Sequence, residues 1–130
     1  MTIDDLVSRY AAGERDFSGA DLAKTVLHDA DLSGINLSAA HLSGVDWKDV
    51  NLSQANLSQA DLSEWADLSG ANLTDANLTQ ANLLNTDMLG VNLENADLTG
   101  SKGSPCLEGA IFFNTTLTDG TFVDERTVID

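Results

Sequence analysis

A five-residue period runs through the middle of this chain and excludes most common folds. Between residues 50 and 85 the same apolar residue returns at every fifth position, with one extra residue at Trp65. The recurring residues are Leu52, Leu57, Leu62, Leu68, Leu73, Leu78 and Leu83. Because an α-helix repeats every ~3.6 residues and a strand every ~2, this period fits neither element and indicates an internal structural repeat.

Each five-residue unit carries the same arrangement of side chains. The units read A-(D/N)-L-(S/T)-X, with a leucine at the centre and a small residue two positions before it. A chain that turns a corner in every unit places one large and one small side chain inside a narrow tube, and leucine and alanine suit these two positions. The residue two positions after the centre is mostly Gly, Asn or Asp, which tolerate a positive φ. Gln54, Gln59 and Gln80 depart from this rule and predict that the corners are not all of one type.

The repeated A-(D/N)-L-(S/T)-X unit resembles the pentapeptide-repeat family, in its leucine-centred, cyanobacterial form. The resemblance implies an all-β solenoid, a right-handed quadrilateral β-helix with four repeats in each coil and about five coils in this chain. The repeats extend from Phe17 to Phe122 and are interrupted at Trp65 and at residues 101–104. We interpret both interruptions as bulges at corners. The alternative is a shortened repeat at 101–104, which would rotate every later residue by one face.

The chain divides into three predicted segments. Residues 1–14 form an N-terminal capping helix, residues 15–124 the β-helix and residues 125–130 a C-terminal tail. Thr2 is the predicted N-cap of the helix. The apolar stripe of this helix comprises Ile3, Leu6, Val7 and Tyr10. Since the open end of a β-helix exposes unpaired backbone groups, the helix protects one end, and we expect a monomer or an end-to-end homodimer joined at the other.

Charge restricts the partners of this chain. Its formal net charge is -15, and no Lys or Arg occurs between Asp49 and Ser101. Nucleic acids and anionic membranes would be repelled, so the expected partner is another protein with a basic or partly apolar surface. Cys106 is the only cysteine, which excludes an intrachain disulfide. The N-terminal residues do not resemble a secretion signal, and we predict a cytoplasmic location.

The repeat also predicts which residues share an outer face. Residues about twenty apart fall on neighbouring coils, and one such column reads Val26, Asp46, Asp67, Asp87 and Ile111. Neighbouring carboxylates ~4.8 Å apart repel by about 1 kcal/mol even in water, so the column needs a compensating charge such as Lys48. Apolar residues beside it would favour a protein partner. The predicted partner site comprises Asp46, Asp67, Asp87, Trp65, Leu89, Ile111 and Phe113. The alternatives are a solvated surface and, less favoured, a calcium site on the ladder.

A second column combines Asp31 with Asn51, Asn72, Asn92 and Thr116. Side chains of this kind, stacked on successive coils, predict a ladder of hydrogen bonds between neighbouring amides.

Nothing in the sequence points to catalysis. Serine and threonine occupy the regular position after each centre and have no base beside them. His28 and His41 fall on different faces, so neither a metal site nor a cofactor is expected. The leading hypothesis is a non-enzymatic scaffold or protein–protein interaction module. The alternative is an acidic DNA mimic that binds a DNA-handling enzyme such as gyrase, as the resemblance to quinolone-resistance members implies, although their centres tend to be phenylalanine.

Overall fold

The computed structural model describes all residues from 1 to 130. One helix and four short strands are present: α1 Ile3–Ala11, β1 Ile111–Phe112, β2 Thr115–Thr116, β3 Phe122–Val123 and β4 Thr127–Val128. Between α1 and β1 the backbone is held by isolated parallel bridges and turns instead of continuous strands.

The bridges join residues about twenty apart and form four columns. In one of them Asp31 pairs with Asn51, and Asn51 pairs in turn with Asn72. The residue after each bridge position donates its amide to the bridge carbonyl above, as Leu52 N does to Asn72 O at 2.8 Å. The chain therefore winds in coils of about twenty residues, each hydrogen-bonded to the next.

Leucine and alanine side chains fill the interior of the coils. Leu57 is 0% exposed and Ala55, at the small position of the same repeat, is 1% exposed. One centre is larger: Trp47 is fully buried, and its indole N–H donates to the hydroxyl of Thr25 at 3.1 Å. Where threonine replaces alanine deep in the interior, its hydroxyl also has an acceptor, as in Thr86 to Leu62 O at 2.6 Å. Each of these hydroxyl groups therefore has a hydrogen-bond partner, as buried polar groups usually do.

The regular corners have a positive φ whether they carry glutamine or glycine, so the glutamines do not mark another turn type. Gln54, Gln59 and Gln80 each have a φ of 61°, and Gly90 at the same position has 67°. The corner at Trp65 does differ, because Glu64 and Trp65 both have a positive φ, 56° and 66°. A left-handed conformation costs a residue other than glycine about 1–2 kcal/mol. Backbone bonds to the next coil hold these residues in place, for example Gln54 N to Thr74 O at 2.8 Å.

The outer Asp and Asn side chains mostly bond within their own repeat. The Oδ1 atom of Asn51 accepts the amide of Ser53 at 3.0 Å, and that of Asn72 accepts the amide of Thr74 at the same distance. A side-chain bond between coils joins Asn36 to Asp16 at 3.3 Å. The predicted amide ladder is therefore wrong for the Asn51 column, because the nearest donor to each side chain is the amide two residues later.

The two interruptions of the repeat differ. The extra residue at Trp65 leaves the columns in order, since Asp46 still pairs with Asp67 and Asp61 with Asn82, as predicted. At 101–104 the prediction of a bulge is wrong, because Lys102 pairs with Asn82 and so begins a face of its own. Cys106, the next bridge residue, pairs with Asp87. These residues form the shortened repeat that was the alternative, and every later residue lies one face further along the coil than predicted.

Hydrogen bonding explains why the chain takes the shortened repeat. The Lys102 amide donates to Ala81 O at 2.9 Å, and the Lys102 carbonyl accepts from Leu83 N at 2.8 Å. A corner bulge would remove both groups from the column and leave them unpaired. Gly103 then occupies the centre position, in line with Leu83, and contributes no side chain to the interior.

The last residues reverse direction. β2 pairs antiparallel with β3, and β1 pairs antiparallel with β4, so the chain after residue 120 runs back along the final coil. Ile129 N donates to Ala110 O at 2.9 Å and extends this pairing. Phe122, predicted as the centre of a regular repeat, is instead 56% exposed. The reason is the antiparallel pairing of Phe122 with Thr116, which removes it from the inward position of a coil.

Helix α1 packs on the first coil. The Thr2 side chain accepts the Asp5 amide at 3.1 Å as N-cap, and Leu6 is 0% exposed. The Tyr10 hydroxyl donates to Ser33 O at 2.6 Å. The Arg15 guanidinium lies 3.7 Å from the centre of the Tyr10 ring, which keeps this charge at the surface beside the helix.

Candidate interaction surface

Three carboxylates lie in one column on one outer face. Asp46 pairs with Asp67 and Asp67 with Asp87 through successive backbone bridges. Val26 precedes them in the column, and Cys106 follows Asp87 in place of the predicted Ile111. We call Asp46, Asp67 and Asp87 the acidic column.

Two of the three carboxylates have a cationic neighbour on the preceding coil. The Lys48 ammonium lies 3.6 Å from an Asp67 oxygen, as the sequence suggested. His28 Nε2 lies 2.9 Å from Asp46 Oδ1 but does not form a hydrogen bond with it. This contact is an ion pair only when His28 is protonated. Asp87 has no ion-pair partner within the chain, so its carboxylate is available to a cation of another molecule.

The ionised form of Asp67 is favoured by its surroundings. Partial burial raises the pKa of this carboxyl, but hydrogen bonds from the Ser69 hydroxyl and amide, together with the Lys48 ammonium, outweigh burial. The pKa of Asp67 therefore lies below its usual value of 3.8. Since the folded pKa is depressed, the ionised carboxylate stabilises the fold above the unfolded pKa, and this contribution is lost as the pH falls through the folded pKa.

We expect Asp67→Asn to lower the free energy of unfolding near pH 7, and this effect to disappear as the pH falls through the folded pKa of Asp67 and the carboxylate becomes neutral. Urea unfolding of wild type and variant at a series of pH values from 7 downward measures the difference. Ser69→Ala removes one of the donors and should give a smaller loss with the same pH dependence. A difference that does not change with pH would show that the substitution acts through packing.

An exposed apolar cluster lies at the corner next to the acidic column. Trp65 is 73% exposed, Leu84 53% and Leu89 40%. The Trp65 amide donates to Asn85 O at 3.0 Å, which places the indole one coil before the chain segment that carries both leucines. We call Trp65, Leu84 and Leu89 the apolar corner. Asp87 lies between the two leucines in sequence, so the corner adjoins the carboxylate that lacks a cation.

Two residues of the predicted partner site lie elsewhere. Ile111 pairs with Asn92 instead of Asp87, one face away from the acidic column. Phe113 follows on the same face, where its carbonyl accepts the Asn95 amide at 2.8 Å. Both residues are half-buried. Their assignment to the site was wrong because the shortened repeat rotates everything after residue 102.

Sequence reasoning missed His28, Leu84 and Cys106 as neighbours of this surface. His28 and Leu84 both occupy the position after a centre, where serine or threonine is usual, and this departure was a usable signal. The position of Cys106, which is exposed, depended on the shortened repeat and had no such signal.

Neither a metal-ion cluster nor a membrane-spanning helix is present. No group of three or more His, Cys, Asp or Glu side chains is arranged to hold a metal ion. No helix combines the length and apolar character needed to cross a bilayer.

Comparison with protein families gives a direct match. The model of the family described as pentapeptide repeats matches residues 16–38, 30–64 and 65–102, with 8 copies. Comparison with curated proteins gives no significant match.

Several solved structures are similar to this chain. HetL, a pentapeptide repeat protein involved in heterocyst differentiation regulation in the cyanobacterium Nostoc sp. strain PCC 7120, is 30% identical over 83% of this chain and 53% of its own, with a TM-score of 0.46. A pentapeptide repeat protein of the Arabidopsis thaliana thylakoid lumen is 30% identical over 81% of this chain and 70% of its own, with a TM-score of 0.52.

A third structure is QnrB1, a plasmid-mediated fluoroquinolone resistance protein. It is 23% identical over 78% of this chain and 67% of its own, with a TM-score of 0.37. The chain spans about half the length of HetL. The family match and the thylakoid-lumen structure imply a right-handed quadrilateral β-helix, in agreement with the four columns of bridges.

Proposed function

The chain belongs to the pentapeptide-repeat family, and on that premise we propose that it is a non-catalytic protein–protein interaction module whose contact surface is the apolar corner with Asp87. The observation that carries this proposal is the exposure of Trp65, at 73%, beside two further exposed leucines. Between residues 27 and 121 no other large apolar side chain is exposed. Tryptophan is among the residue types enriched at the energetic centre of interfaces.

The side chains of this surface indicate which groups a partner must present. A segment that buries the indole and the Leu84 side chain needs an apolar residue, and Asp87 adds a place for one Lys or Arg. Lys48 already neutralises Asp67 in part, and His28 lies against Asp46, so the whole column is not available to a basic partner. We therefore expect an apolar contact flanked by a single ion pair.

Truncation of the corner tests this proposal. A native extract passed over immobilised wild type and over the double variant Trp65→Ala, Leu84→Ala identifies proteins that the variant does not retain, and titration of such a protein measures its affinity. We expect binding to the variant to be weaker by at least ~10-fold. The matched control is Val128→Ala, which shortens an apolar side chain of similar exposure, 58%, near the C-terminus.

Two outcomes of this experiment would contradict the proposal. One is a partner that binds wild type and the double variant equally well. The other is a partner whose affinity falls as much with Val128→Ala as with the double variant.

A DNA mimic is the second candidate. The observation in its favour is the net charge of -15 together with the absence of Lys and Arg between residues 49 and 101. A gyrase supercoiling assay with wild type and with Asp46, Asp67 and Asp87 all changed to Asn tests it. Inhibition that weakens in the triple variant would favour the DNA mimic, whereas no inhibition at high excess would exclude gyrase.

The proposal also includes the fold that carries this surface. We infer a β-helix of about five coils, with residues 1–14 as its N-terminal cap and a C-terminal segment that begins near residue 120 instead of residue 125. The supporting observations are the burial of Leu6 against the first coil and the antiparallel return of β3 and β4. A cytoplasmic location stays a prediction from the sequence, and one similar structure comes from the thylakoid lumen.

A further inference from the structure

The shortened repeat leaves a cavity inside the last coil. Gly103 follows Lys102 as Leu83 follows Asn82, so it stands where the preceding coils have a buried leucine. A space of about 300 Å³ remains in this part of the interior. Its wall includes Leu83, Leu98, Leu107, Phe112 and Leu117. The cavity therefore lies in the coil where glycine takes the place of a buried leucine.

Substitution at Gly103 itself cannot fill this space. A Cβ atom added there would lie 2.7 Å from the backbone N and Cα of Leu84, and the φ of Gly103 is +87°. The backbone at this point lies against the preceding coil, and the exposed residues Gly103 and Ser104 line the space. This close approach excludes a side chain at position 103.

The rim of the cavity carries polar groups as well. Gly103 and Leu107 both line it, and neither backbone N–H donates to an acceptor within the chain. The corresponding amides of the preceding coil, Leu83 N and Met88 N, each donate to the coil above at 2.8 and 2.9 Å. Lys102, which precedes Gly103, is exposed and is the sole Lys or Arg between residues 50 and 125.

We propose that this cavity binds a small amphipathic anion, a carboxylate with a short alkyl or aryl body. The apolar wall suits the body of such a molecule, since cavities lined by Leu and Phe stay dry and accept apolar ligands. The free amides of Gly103 and Leu107 suit its carboxylate, because hydrogen bonds to a charged acceptor are stronger than those to a neutral one. A volume of about 300 Å³ is at the lower end for ligand pockets and restricts the ligand to a small molecule.

The test uses hexanoate as the probe and amide NMR as the readout. We expect hexanoate to shift the Gly103 and Leu107 amide signals in a saturable manner, with a Kd below ~1 mM. Hexylammonium has the same alkyl chain without an acceptor and should leave these two signals unchanged. It also controls for non-specific attraction to the acidic surface.

Cavity-filling variants provide the second part of the test. Leu107→Trp places a larger side chain in the wall and should weaken hexanoate binding at least ~10-fold. Val26→Trp adds the same side chain at an exposed position of the first coil and should change the affinity less than ~2-fold. If Leu107→Trp does not fold, as judged by circular dichroism, Leu117→Trp replaces it.

Three results would overturn this proposal. The first is the absence of a saturable shift at ~10 mM hexanoate. The second is an equal loss of affinity in the wall variant and in Val26→Trp. The third is a shift of the same amides with protein concentration alone, accompanied by a dimer in sedimentation, because a second copy of the chain would then occupy this end.

Discussion

Replacing Leu57 with alanine is expected to lower the free energy of unfolding by about 2–5 kcal/mol. Leu57 is 0% exposed and lies between Leu37 and Leu78 in one inward column. Each coil contacts only its neighbours, so a gap in a middle coil weakens the contact to the coils on both sides. Denaturant unfolding followed by circular dichroism measures the change.

The adjacent residue gives the control for this substitution. Ser58 points outward, and its structural hydrogen bond is donated by the backbone amide to Asn56 at 3.0 Å. Ser58→Ala keeps that bond and should change the stability by less than ~0.5 kcal/mol. Similar losses for Leu57→Ala and Ser58→Ala would contradict the inward column.

Gly103→Ala should be the most damaging glycine substitution in the chain. Its Cβ would lie 2.7 Å from the Leu84 backbone, a contact that requires the backbone to move, and the positive φ adds a cost of about 1–2 kcal/mol. We expect a total loss of at least ~3 kcal/mol. The Leu83 N to Lys102 O bond would be the first to break, because it joins these two segments.

Gly120→Ala separates the two contributions to that loss. Gly120 has nearly the same φ, +86°, but a Cβ there would meet no atom within 4 Å. This variant should therefore show the conformational cost alone, about 1–2 kcal/mol. Equal losses at the two glycines, measured by urea unfolding, would show that the close approach at Gly103 contributes nothing.

The sequence predicted the general fold because the repeat is dense and regular. Leucine every fifth residue identified the inward positions through residue 98, and the extra residue at Trp65 was correctly interpreted as a bulge. The interval between Leu98 and Leu107 allowed either a bulge or a shortened repeat. The choice depends on whether Lys102 keeps its backbone bonds in the column, and side-chain types carry no information on this point.

Only part of the predicted partner site was placed correctly, because the shortened repeat changes the face of every residue that follows it. Asp46, Asp67 and Asp87 precede the shortened repeat and stack as expected, whereas Ile111 and Phe113 follow it and lie on another face. The reversal after Gly120 was also missed, because GTFVD has the spacing of a regular unit. In the structure the antiparallel pairing of β2 with β3 takes precedence over that spacing.

The shortened repeat determines which face each residue after 102 occupies, and the cavity lies beside it. Oxidation of two cysteine variants tests it directly, with native Cys106 as the common partner. Bridge partners lie ~4.8 Å apart, within the range for a disulfide. We predict that Asp87→Cys forms an intramolecular disulfide with Cys106, seen by mass spectrometry of the monomer, and that Asn82→Cys does not. A disulfide in the Asn82→Cys variant and none in the Asp87→Cys variant would restore the corner bulge and contradict this account.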